Sequence, residues 1–391
     1  MAARARHLRG LWARLRPPLA PELEREYRDL LSQHQERKQA IAARLQDSWR
    51  LSTAELEAAR GQLRAESDRA DKLLIEATAL LEQGAPTWSC ERSLAGQPGE
   101  AVLVMAPSSD GRSWIAMFGL RDDSGELTIE TMRVDLARGG PDAAADAILD
   151  KFTAGFERAR EVRIIPVGAF MPVEFHRLWF ARGQQRPVIT YSLGLGTALD
   201  TNDAWERTAA VVAGSSDLDA VAREAVAVGT RLQDLDWTVS SRWSLDELVQ
   251  PSLLHYAGHG AGGSGLGWDS AIELPEIGRV SAARIVAGQR SPRLVVLGAC
   301  SAARVSSEAI DGGMNLAAAF LLAGAQLVIA PTRDVDDDAA YQLGVSLYRD
   351  LGDANPEELS RALSRVQREQ LVGIAAPTGT KTFSAWRAWT P

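Results

Sequence analysis

The 391-residue sequence predicts an α/β fold: a mostly parallel central sheet flanked by helices and preceded by an α-helical hairpin. Three observations carry that prediction. Residues 21–83 place apolar side chains at helical spacing, with no strand pattern. From Pro141 onward, short apolar runs alternate with amphipathic stretches, as strand–helix–strand crossovers do. Two of the runs, Leu253-Leu254-His255-Tyr256-Ala257-Gly258-His259-Gly260 and Leu294-Val295-Val296-Leu297-Gly298-Ala299-Cys300-Ser301, end in small residues and one reactive side chain. Buried strands of parallel sheets read this way, and their chemistry sits at their carboxyl ends.

Composition bounds the function. Hydrophobic residues make up 46% of the chain, enough for a sizeable core. A net charge of −8 argues against nucleic acid as the main partner. Two cysteines, Cys90 and Cys300, fit a reducing compartment and no disulfide framework, so a cytoplasmic location is expected. No apolar run approaches the roughly 20 residues that span a bilayer.

Residues 1–20 form a basic amphipathic leader in which Arg4, Arg6, Arg9, Arg14 and Arg16 surround Leu8, Leu11, Trp12 and Leu15. It reads either as a frayed end or as a segment that touches an anionic membrane or an acidic partner. Residues 21–84 read as the hairpin. Ser52-Thr53-Ala54-Glu55 is a capping box that starts its second helix, and Gly84 stops it. Its charged faces are either solvated or a docking arm for a partner protein.

The remaining domain covers 95–391. Strands are expected at 101–105, 114–120 and 127–136, with a helix at 141–160 and strands at 162–167 and 188–193. His176 lies in a helix-like run and reads as structural or exposed. A βαβ unit follows: strand 209–213, helix 218–232, strand 237–239. Ser244-Leu245-Asp246-Glu247 is a second capping box before the His259 strand. The Gly-rich run 261–268 is either a mobile loop in which Trp268 and Asp269 close over substrate, or a plain hairpin. After Cys300 come a helix at 314–323, a strand at 326–331, helices at 338–351 and 356–371, and an aromatic strand ending at Trp389.

Cys300 and His259 form the candidate catalytic pair. A thiolate attacks a carbonyl, and a neighbouring imidazole activates the thiol and carries its proton to the leaving group. Gly260 and Gly298 let backbone approach a substrate. The N–H groups of Gly260 and Cys300 are the candidate oxyanion donors. His255 and His259 lie four apart on a strand, about 13 Å by rise, which excludes a shared metal. No Gly-x-Gly-x-x-Gly turn opens a helix, so neither metal nor nucleotide cofactor is expected. His255 reads as core, or as a group that orients the cleft.

The runs His-Tyr-Ala-Gly-His-Gly, Val-Leu-Gly-Ala-Cys-Ser, Ala-Ala-Ala-Phe-Leu-Leu-Ala-Gly-Ala-Gln-Leu-Val-Ile-Ala and Asp-Val-Asp-Asp together resemble the CHAT family, within the caspase-like clan of cysteine peptidases, over roughly residues 95–391. The resemblance implies a caspase-like α/β sandwich and peptide-bond hydrolysis by a Cys–His dyad. It also implies that the loop after Pro331 lines the pocket for the residue before the scissile bond. Asp334, Asp336 and Asp338 in that loop would attract Lys or Arg, or they cap the next helix. Val167 and Thr332 stand where relatives often carry Asp and Trp. The implied function is a gated endopeptidase acting on protein substrates, triggered by a partner or ligand, in bacterial defence or cell death. Arg290, Arg293 and Arg304 are conceivable self-cleavage sites. The alternative is a caspase-like scaffold without catalysis that binds partner proteins.

Overall fold

The computed structural model describes residues 21–46, 52–83, 97–108, 113–137, 139–193, 206–214, 219–245, 249–261, 263, 267–275, 277–288, 291–304, 314–349, 351, 355–372 and 383–390. The basic leader, Gly84, Cys90, the Asp246-Glu247 pair, most of the Gly-rich run and Arg290 lie outside these residues.

Two helices, α1 (Pro21–Gln46) and α2 (Thr53–Gln83), form the expected hairpin. At its turn, Ser52 N–H and Oγ both donate to Glu55 Oε2, at 2.9 and 2.5 Å, which is half of a capping box in its usual form. Tyr27 and Leu31 of α1, with Ala77 and Leu80 of α2, join the largest core cluster, so the hairpin packs on the domain rather than projecting from it.

The chain then runs through β1 (Glu100–Pro107), β2 (Trp114–Arg121), β3 (Leu127–Val134), α3 (Gly140–Arg158), β4 (Glu161–Ile165), a 3-10 turn (Gly168–Phe170), α4 (Phe175–Phe180) and β5 (Val188–Ser192). A second series follows: β6 (Thr208–Ala213), α5 (Asp219–Asp234), β7 (Thr238–Ser240), β8 (Leu253–Ala257), β9 (Gly260–Ala261), β10 (Ala271–Leu274), β11 (Gly278–Ser281), α6 (Ala282–Gly288), β12 (Leu294–Gly298), α7 (Leu316–Leu322), β13 (Leu327–Pro331), α8 (Asp337–Leu347), α9 (Pro356–Val372) and β14 (Trp386–Thr390).

Eleven strands form one sheet in the order β3-β2-β1-β4-β5-β14-β13-β12-β8-β6-β7. Only the β1–β2, β2–β3 and β13–β14 pairs are antiparallel. The sheet is thus two halves, β1–β5 and β6–β14, joined where β14 lies parallel to β5 with Trp389 opposite Tyr191. Strands β9–β11 make a separate small sheet directly after His259.

The strand pleat explains the two layers. Alternate residues of β8 and β12 enter different cores: Leu254, Tyr256, Val295 and Leu297 meet α6 and α7, while Leu253, Leu294 and Val296 meet α5, α8 and α9 through Val228, Leu343, Leu347 and Leu363. Each such side chain, taken out of water, stabilises the sandwich by about 1.5–3 kcal/mol. The expected sandwich of helices on a mostly parallel sheet, with a hairpin before it, is the architecture observed.

Two sequence expectations need correction. Trp268 is not a lid: it is buried, and its carbonyl accepts the Ala283 N–H. His176 is fully enclosed rather than exposed, held between Tyr191 and Ser384.

Candidate active site

Strands β8 and β12 are buried along their whole length and pair in parallel, with Val296 opposite His255 and Gly298 opposite Ala257. Both end at the same level. The residue two positions further on each is His259 or Cys300, so the imidazole and the thiol leave the sheet side by side at its carboxyl edge. The Gly258 N–H donates to Gly298 O at 3.3 Å just above the last pair. A Cβ on Gly260 would lie 2.5 Å from Cys300 O, so glycine is what lets the His259 loop close on the Cys300 turn.

Cys300 sits at the second position of a tight turn. Ala302 N–H donates to Ala299 O at 3.2 Å, and Ser301 adopts the left-handed region at φ 57°. A serine there is strained, and the surroundings hold it. Its N–H donates to Arg333 O at 3.3 Å, and its hydroxyl donates to Asp334 Oδ1 at 2.6 Å. Arg304 binds the other Asp334 oxygen at 3.0 Å. The Ser301 bond and then Arg304 hold the Asp334 carboxyl below its usual range.

The thiol itself is half-buried. Sγ donates to Val335 O at 3.3 Å and lies 3.5 Å from the Val335 N–H. Burial pushes its pKa up, and the charges of Asp334 and Asp337 add to that. The resting group is therefore a thiol. His259 is exposed, and among the described residues no hydrogen bond joins it to Cys300. Its backbone is pinned instead: Tyr256 Oη lies 3.0 Å from the carbonyls of both His259 and Glu273. Burial holds that phenol protonated, its pKa pushed up to about 12.

The three predicted pocket acids separate. Asp334 joins the Cys300 turn. Asp336 caps α8, accepting from the N–H groups of Asp338 and Ala339 at 3.1 and 3.2 Å. Asp338 is exposed and paired with Arg223 at 3.2 Å. Thr332 bonds to Ala385 O through both its N–H and its hydroxyl.

Sequence reasoning missed Glu174, which is mostly buried beside the turn. It binds Arg333 at 3.0 Å and Arg177 at 3.0 Å. Glu174 and Arg333 lie 159 positions apart, and nothing local in the sequence links them. It also missed Glu224, whose Oε1 lies 3.0 Å from Nε2 of His255. Here a signal existed: Glu224 occupies an apolar-stripe position of α5, with Val221, Val228 and Leu232.

Among the described residues, no group of three or more His, Cys, Asp or Glu is placed to hold a metal ion. No described helix is long and apolar enough to cross a membrane.

A mostly parallel sheet presenting one imidazole and one thiol from adjacent strand ends defines a caspase-like protease scaffold. The chain belongs to the CHAT-domain family, which matches residues 157–387. Among solved structures, a chain of the Saccharomyces cerevisiae separase–securin complex at 2.6 Å aligns with a TM-score of 0.52 at 9% identity, covering 87% of this chain and 34% of that one. A second structure of that complex aligns at 0.41 with 14% identity, over 59% of this chain and 15% of the other. The likeness is one of fold, and this chain spans about a third or less of the length of either neighbour. No curated protein matches.

Proposed function

We propose that the protein is a cysteine endopeptidase with Cys300 as nucleophile and His259 as general base and acid. The observation that carries this reading is the register of β8 against β12, which delivers both side chains to one edge. Cys300 Sγ would add to the scissile carbonyl while His259 takes the thiol proton. His259 then gives that proton to the leaving amine as the C–N bond breaks. Water, deprotonated by His259, hydrolyses the thioester and restores the thiol. The N–H groups of Gly260 and Cys300 are the proposed oxyanion donors.

A thiol protonated by burial and bonded to the Val335 carbonyl supports a resting, gated state. Release of the 332–335 segment would free Sγ to meet His259. The docked α1–α2 hairpin supports a regulatory surface for a protein partner, and the neighbour's capture with securin is consistent with control by a protein. Asp334, placed at the turn, is the favoured acid for a Lys or Arg side chain, ahead of Asp336 and Asp338. A cytoplasmic role in bacterial defence or cell death rests on the cysteine content and the family resemblance. One observation favours the second reading, a non-catalytic scaffold: the thiol bonds to backbone and not to His259.

The test uses fluorogenic peptides ending in Arg, Lys or Asp, and an arginyl chloromethylketone read by intact mass, on wild type and Cys300→Ala. Labelling and turnover after basic residues, both lost in Cys300→Ala, are expected. Turnover after Asp alone would overturn the acidic pocket. Neither labelling nor turnover, with and without proteins encoded beside this one, would favour the scaffold.

A further inference from the structure

Beneath the two reactive side chains lies a buried polar cluster that the proposed chemistry does not use. Glu224 (2% exposed) and His255 (0%) are enclosed with Tyr348 (0%) in the apolar layer of Leu343, Leu347 and Val296. His255 Nε2 lies 3.0 Å from Glu224 Oε1, and Nδ1 lies 3.0 Å from Tyr348 Oη. We propose that Glu224, His255 and Tyr348 form a positioning network that aligns the Cys300 turn with His259. The inference rests on the reading of those two residues as a dyad.

Placement is the first argument. Residues 253, 255, 257 and 259 share one face of β8, as do 294, 296, 298 and 300 of β12. Glu224 reaches that face where two glycines leave space. A Cβ on Gly298 would stand 3.0 Å from Glu224 Oε1, and one on Gly344 of α8 would stand 2.5 Å from it. One carboxylate therefore touches the Cys300 strand two residues before the nucleophile. Through His255 it holds the His259 strand, and it abuts α8 directly. The same helix meets both ends of the device: Tyr348 follows its last turn, and Val335, which holds Sγ, precedes its first. Displacement of α8 thus reaches the thiol from one side and His255 from the other.

Energetics is the second argument. Carboxylate and imidazole in an apolar layer are a costly way to hold a sheet together, since apolar side chains of similar volume are often as stabilising or more so. What such a cluster adds is a unique arrangement. The phenol stays protonated, because burial and the Glu224 charge hold its pKa well above the usual range. It can then donate to Nδ1 while Nε2–H donates to Glu224, so each proton has one acceptor and the ring has one orientation.

The test reads Cys300 without needing turnover. In a Cys90→Ser background, the rate of alkylation by iodoacetamide is measured from pH 5 to 10 for the parent protein, Tyr348→Phe and Glu224→Gln, with folding checked by circular dichroism. Tyr348→Phe keeps the ring volume and is the deciding variant if Glu224→Gln does not fold. The expected result is a rate at neutral pH changed by about tenfold, with a shifted midpoint, the scale on which small misplacements act. A folded Tyr348→Phe with the parent's rate and midpoint would overturn the network. Absence of peptide turnover in the earlier assay is a separate result: it removes the protease reading but leaves the alkylation comparison intact.

Discussion

Each half of the sheet buries one histidine, and the partners differ in kind. In the β1–β5 half, His176 of α4 lies between Tyr191 Oη at 2.7 Å and Ser384 O at 2.9 Å. Cations surround it: Arg387, Arg177 and Arg333 all disfavour its protonation. Burial is the larger cause, and its pKa falls to about 3. The ring is neutral, so Nε2–H donates to Ser384 and Nδ1 accepts from Tyr191, whose own pKa rises to about 12. Arg387 of β14 stacks over Tyr191 at 4.5 Å and donates to the carbonyls of Met171 and Val173 at 2.8 and 2.9 Å. This set joins β14, the last strand of one half, to the loops of the other. In the β6–β14 half, His255 meets a carboxylate instead and touches the two strands that carry His259 and Cys300. The first cluster is a seam between halves, and the second lies under the chemistry.

If that contrast is right, damage to the two clusters should separate stability from reactivity. The largest effect is expected at the seam. Arg387→Met leaves two buried carbonyls without donors and should cost about 3 kcal/mol. Urea denaturation would measure it, and the Cys300 alkylation profile should stay that of the parent. A shifted profile would break the comparison.

Gly298→Ala should do the reverse. Its Cβ would stand 3.0 Å from Glu224 Oε1 and 3.1 Å from Tyr256 O. Overpacking of this kind costs roughly 1–3 kcal/mol. The strain falls on β12 two residues before Cys300, so alkylation should slow beyond what the stability change explains. Unchanged alkylation in a folded Gly298→Ala would deny the coupling of Glu224 to the turn.

The same contrast explains what was legible in the sequence. The reactive strand ends were legible because a parallel strand is a continuous apolar run, and Gly-His-Gly and Gly-Ala-Cys interrupt it visibly. The Ser52–Glu55 cap was legible because its partners are three residues apart. So was Asn355, whose Oδ1 accepts from Glu358 N–H at 2.9 Å. Asp336 was ambiguous: a helix cap and a pocket acid require the same residue type, and the N–H groups at Asp338 and Ala339 take its oxygen. The two clusters were not legible, because their members meet through packing of distant elements. His176 and Ser384 are 208 positions apart, and His255 and Tyr348 are 93 apart. The bridging role of β14 was hidden likewise. Its aromatic run announces a strand but not that it lies antiparallel to β13 and parallel to β5.

The smallest effect distinguishes the two histidines by pH. His176 titrates at about 3 in the folded protein, against an ordinary value near 6.5 in the unfolded chain. Below about pH 6.5 the unfolded state therefore binds a proton that the folded state does not. The stability this residue supplies is complete above that pH and is lost progressively toward pH 3. The loss is about 1.4 kcal/mol at pH 5.5, with a slope of up to roughly 1.4 kcal/mol per unit below that. Urea midpoints measured between pH 7.5 and 5 would show this slope in wild type. His176→Gln, which keeps polar contacts but cannot titrate, should flatten it, while His255→Gln should retain it because His176 is intact. A slope that survives in His176→Gln would mean that carboxylates, not the seam, set the acid limit. The neutral imidazole would then no longer distinguish the first half from the second.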